Sequence, residues 1–89
     1  MIRLLIADDE TWILDRLATT IDWASIGVQV AGTARDGEEA LEQCRALRPD
    51  IVLTDIRMPC ITGLELIRRL KQEKMDCKVI IISGYDDFE

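Results

Sequence analysis

Ile51-Val52-Leu53-Thr54 is a short apolar run that ends in a carboxylate, Asp55, and leads through Ile56-Arg57-Met58-Pro59-Cys60-Ile61 to Thr62-Gly63-Leu64-Glu65. The run has the length and β-branched content of a buried strand. Thr62 and Glu65 stand at capping-box spacing and open a helix whose Leu66, Ile67 and Leu70 turn inward. Upstream, Ile2 to Ala7 is a second buried strand, broken only by Arg3. Residues 10–22 then place Leu14, Leu17, Ala18 and Ile21 at helical spacing. Val28 to Ala31, bounded by Gly27 and Gly32, alternates more and suits a strand near a sheet edge. Asp36 caps a further helix with Ala40, Cys44 and Leu47 along one face, and Pro49 stops it. Downstream, Val79-Ile80-Ile81-Ile82 is the fourth and most β-branched strand. Strands alternating with helices in this order predict an α/β protein, a doubly wound parallel sheet with right-handed crossovers and both faces covered.

With 89 residues the chain is one domain at most. Lys and Arg number 11 against 17 Asp and Glu, a formal charge of −6 that argues against direct nucleic-acid binding by this segment. No apolar run is long enough to span a membrane, and the first residues lack signal-peptide architecture. There is no histidine, which removes histidine-based general-base catalysis and any phosphohistidine carried by this chain. Cys44, Cys60 and Cys77 are widely spaced, form no CxxC pair, and read as free thiols of a reducing cytosol.

In an open parallel sheet, ligands bind beyond the carboxyl ends of the strands. The first strand ends in Asp8-Asp9-Glu10, the third in Asp55 and the fourth in Ser83-Gly84. Strand-end acids often do no more than cap helices. Three carboxylates converging with a hydroxyl instead need a cation to neutralise them, and Mg²⁺ is the hard cation that uses few carboxylates plus phosphate oxygens. A carboxylate beside such an ion can attack phosphorus and form an acyl phosphate.

Asp8-Asp9, the Asp55-Ile56-Arg57-Met58-Pro59 run with Gly63, and Ser83 together resemble the receiver domain of two-component response regulators, over essentially the whole chain. The resemblance implies a flavodoxin-like sheet of order 2-1-3-4 and makes Asp55 the phospho-acceptor. It implies Mg²⁺ held by Asp8, Asp9, Asp55 and the backbone carbonyl of Arg57, with Ser83 as the switch hydroxyl and Pro59 and Gly63 shaping the loop. It implies a sensor histidine kinase as phosphoryl donor, a cytoplasmic location, no enzymatic turnover, and an output domain in the parent chain. Ile21 to Gly27 and Ser83 to Phe88 look like receivers fused to AraC-type DNA-binding domains, which points to transcriptional regulation. A receiver also has a fifth strand ending in a lysine, preceded by an aromatic switch residue. Neither position occurs here, so residues 1–89 are expected to be a receiver domain incomplete at its C-terminus, lacking the fifth strand and last helices. Strand four would then be an open apolar edge, and the isolated chain is expected to fold poorly or to self-associate through it.

Two other readings compete. A haloacid-dehalogenase-type phosphatase also uses a strand-end Asp with Mg²⁺, but it wants Asp-x-Asp, and Asp55 is followed two residues on by Arg57. A non-phosphorylated interaction module would bind no Mg²⁺.

Overall fold

The computed structural model describes residues 1–82. The elements run β1 (Ile2–Ala7), α1 (Thr11–Thr20), a 3-10 turn (Trp23–Ile26), β2 (Val28–Ala34), α2 (Gly37–Leu47), β3 (Ile51–Asp55), α3 (Gly63–Gln72) and β4 (Lys78–Ile82). The sheet order is β2-β1-β3-β4, and every pairing is parallel. This is the strand order expected of a doubly wound sheet, with a switch in strand order at β1 and β3.

The period-2 alternation of β1 divides the core. Leu4 and Ile6 pack on the α1 side with Leu14, Leu17, Ala18 and Trp23. Leu5 and Ala7 pack on the opposite side with Ala40, Leu41 and Cys44 of α2 and with Leu66 and Leu70 of α3. Asp36 caps α2 by accepting a hydrogen bond from the Glu39 N–H at 2.8 Å, and Thr62 caps α3 by accepting from the Glu65 N–H at 3.2 Å. Helix α2 ends at Leu47: the Arg48 N–H still bonds to the Cys44 carbonyl, and the left-handed φ of 49° at Arg48 then turns the chain out of the helix before Pro49. Arg45 of α2 grips Glu73, just past α3, through two hydrogen bonds of 2.9 and 2.6 Å.

Two boundaries differ from the sequence reading. Helix α1 stops at Thr20, so Ile21 is 41% exposed instead of facing the core. The chain turns there because the Trp23 indole N–H donates to the Leu17 carbonyl, one of the last four that the helix leaves without a partner. Strand β2 does not stop at Gly32 but runs on to Ala34, with a bulge opposite Leu4 and Leu5. A side chain at Gly32 would come within 2.8 Å of the Leu47 methyl, so this glycine marks where α2 presses on the strand, not where the strand ends. Among the described residues β4 pairs with β3 alone, and Ile80 and Ile82 on its α1-side face are 51% and 37% exposed.

Candidate functional site

β1 and β3 are adjacent, with Ala7 opposite Thr54, so the residues that follow them emerge side by side at the carboxyl end of the sheet. Asp8, Asp9 and Asp55 each offer a carboxylate oxygen, and these oxygens lie within 4.8 Å of one another. Asp8 is buried, Asp55 half-buried and Asp9 exposed.

The acids do not cap α1. The N-cap of that helix is Glu10, with no side-chain capping bond. Asp8 Oδ1 instead accepts a hydrogen bond from the Glu10 N–H at 2.9 Å, which fixes the turn out of β1. Burial raises the Asp8 pKa above the ordinary carboxylate value; the Glu10 N–H opposes this, and the negative charges of Asp55, Asp9 and Glu10 add to the rise. The cluster is therefore a cup of excess negative charge, which an oxygen-seeking divalent cation would relieve. The donor set, all carboxylate oxygen with solvent access through Asp9, fits such an ion.

The loop after Asp55 is held from below. Thr54 is fully buried, its hydroxyl oxygen 3.1 Å from the Asp55 carbonyl oxygen and 3.7 Å from Met58 Sδ. Met58 and Ile61 are buried in the core beneath the loop, while Arg57, Pro59 and Cys60 are exposed. The Gly63 N–H closes the loop on the Ile56 carbonyl at 2.8 Å. A side chain at Gly63 would stand 2.4 Å from the Asp55 carbonyl oxygen, so only glycine lets α3 begin this close to the acid. Arg57 thus sits on a pinned loop two residues beyond Asp55. Ser83 lies outside the described residues. Trp12 is 59% exposed, its indole N–H bonded to Glu10 at 2.8 Å beside the cluster. The sequence pattern does not single out Gly37, whose backbone abuts Ile61. The Asp36-Gly37 pair before a helix was its only signal, and a capping turn explains that pair equally well.

The raised pKa of Asp8 has a testable sign. A carboxyl whose folded pKa exceeds its unfolded value makes the fold lose stability as pH rises through the interval between them. At pH 7 and without divalent cations, Asp8→Asn should therefore raise the melting temperature, since Asn can still accept from Glu10. Each kcal/mol gained should appear as about 4–8 °C. Added Mg²⁺ should raise the melting temperature of the unsubstituted protein more than that of the variant. A variant that melts lower in EDTA would mean that the Asp8 charge is already balanced.

Residues 4–89 match the response regulator receiver domain. Among curated proteins, the transcriptional regulatory protein YesN of Bacillus subtilis is 42% identical over 89 residues, all of this chain and 24% of YesN. HptR of Staphylococcus aureus, also a transcriptional regulatory protein, is 42% identical over all of this chain and 34% of its own length. The chain therefore spans about a quarter to a third of the curated relatives it matches. Among solved structures, the REC domain of the response regulator AraT from Geobacillus stearothermophilus superposes with a TM-score of 0.89 at 40% identity, over 97% of this chain and 67% of that one. A two component transcriptional regulator AraC from Clostridium phytofermentans gives 0.87 at 36% identity, over 99% and 68%. The parallel sheet, the acids at the ends of β1 and β3, and a match running through nearly the whole sequence agree: the chain belongs to the response regulator receiver domain family.

Proposed function

We propose that this domain accepts a phosphoryl group on Asp55 from a partner histidine kinase and passes the change to an output domain of the same protein. The supporting observation is the convergence of Asp8, Asp9 and Asp55 at adjoining strand ends in a receiver-family chain. Asp8, Asp9, Asp55 and the Arg57 carbonyl would hold Mg²⁺, which when bound supplies charge neutralisation around the transferring phosphoryl group. Asp55 is the nucleophile. Its carboxylate oxygen bonds to phosphorus as the phosphorus–nitrogen bond of the donor phosphohistidine breaks, and the electron pair leaves on the imidazole nitrogen. Asp8 and Asp9 keep the site anionic, and Ser83 is the hydroxyl assigned by the family pattern to meet the phosphoryl group. The chain has no histidine, so the donor is another protein or domain. Its part is to be modified once per signal, not to turn over as an enzyme.

The relatives' names support transcriptional regulation as the output, with DNA contacted outside this segment, whose charge of −6 gives no basis for binding DNA; the cytoplasm is the location consistent with a response regulator. No helix among the described residues is long and apolar enough to cross a membrane.

Mass spectrometry of the full-length protein after treatment with acetyl phosphate and Mg²⁺ should find one added phosphate, mapped to Asp55 and absent from Asp55→Asn. A phosphate that persists in that variant removes the assignment. Multiple turnovers on an aryl phosphate would favour the phosphatase reading instead.

A further inference from the structure

Helix α2 reaches the loop after Asp55 at one point. Gly37, its first residue, is buried, and a Cβ built there would lie 2.1 Å from the Ile61 carbonyl oxygen and 2.5 Å from the Ile61 Cβ. Cβ atoms do not approach other atoms closer than 3.0 Å, so any side chain at 37 must push helix and loop apart by about an ångström. The first atom met is backbone, so no rotamer change can absorb the displacement.

The helix is the firmer of the two partners. Its start is tied down by the Asp36 cap, and Ala40, Leu41 and Cys44 are buried behind it. The loop has a buried anchor at each end, Met58 and Ile61, but its middle is exposed. Displacement at Ile61 would pass along Met58-Pro59-Cys60 toward Arg57, and the Ile61 N–H is itself bonded to the Pro59 carbonyl at 2.7 Å.

We infer that Gly37 is a positioning residue for the metal and phosphoryl site: its missing side chain lets α2 seat the Ile56–Thr62 loop at the depth that the proposed Arg57 carbonyl ligand needs. The inference rests on the reading of the site proposed above. Gly37 touches neither metal nor phosphate and acts through Ile61. Gly63 fixes the loop from the α3 side at Asp55, and Gly37 fixes it from the α2 side at Ile61. Misplacement of about 1 Å is enough to impair a site whose groups must converge.

The test is equilibrium titration of the full-length protein with Mg²⁺ alone, together with thermal melting in EDTA. Gly37→Ala should weaken Mg²⁺ binding by about tenfold, the scale seen when residues supporting metal ligands are altered. Gly32→Ala is the control. It also meets a neighbour too closely, but that neighbour is the movable end of Leu47, and β2 carries no proposed ligand. It should lower the melting temperature and leave Mg²⁺ affinity unchanged. If Gly37→Ala lowers melting but keeps wild-type affinity, the glycine serves stability only and the inference fails. Should Gly37→Ala not fold, Ile61→Ala loosens the same contact from the loop side and should also weaken Mg²⁺ binding; unchanged affinity there overturns the inference too. An unsubstituted protein that binds no Mg²⁺ would instead overturn the reading of the site itself.

Discussion

Asp9→Ala in the full-length protein should slow phosphorylation of Asp55 from acetyl phosphate by about 10²–10³-fold while leaving the metal-free domain folded. Asp9 is the exposed member of the acidic cup, so its removal takes away no core packing. Surface substitutions of this kind usually change stability by about 0.5 kcal/mol or less. It is also a proposed ligand of the cation, and a metal ion's charge stabilisation in such a transfer amounts to several kcal/mol. At about 1.36 kcal/mol per factor of ten, even part of that sum gives the stated loss. The rate, followed by mass spectrometry at fixed Mg²⁺, should recover in part when Mg²⁺ is raised well above the wild-type requirement. Phosphorylation at the wild-type rate would place the cation elsewhere.

Leu66→Ala should produce the largest loss of stability. Leu66 is fully buried between α3 and the sheet, in the cluster with Leu5, Val52 and Leu70. Truncating such a leucine removes both its transfer free energy and the packing of its surroundings, about 2–5 kcal/mol. A whole domain has only about 5–15 kcal/mol, so the variant should be partly unfolded near physiological temperature. Leu64, two positions earlier on the same helix, is 61% exposed and serves as the comparison. Leu64→Ala should shift the urea midpoint little. Equal shifts for the two variants would contradict the orientation of α3.

The alternation of buried strands and amphipathic helices made the topology legible, because a parallel sheet leaves that pattern in Ile2–Ala7, Ile51–Asp55 and the helices between them. The site was legible for the same reason. Once the strands are parallel neighbours, Asp8 and Asp55 must share an edge, and the observed separation follows from the register of Ala7 with Thr54. Contacts between residues distant in sequence were hidden. Nothing local in Thr19-Thr20-Ile21 shows that the Trp23 indole will take the Leu17 carbonyl and end α1 early. Nothing local to Gly32 says whether it ends a strand or receives Leu47. Gly37 belongs with these, since its contact with Ile61 crosses from α2 to the loop beyond β3.

The order of the strands also sets a timetable. β1, at the middle of the sheet between β2 and β3, is made before either neighbour. About 21 residues separate Ala7 from the start of β2 and about 44 from the start of β3. At a synthesis rate of about 5–20 residues per second, the apolar Leu4-Leu5-Ile6 run waits about 2–9 s for its second partner, in addition to the transit of the ribosomal tunnel. Until β2 is made neither side of its ladder has a partner, and from then until β3 is made one side stays open, so the segment destined for the middle of the sheet spends the interval as an unfinished edge.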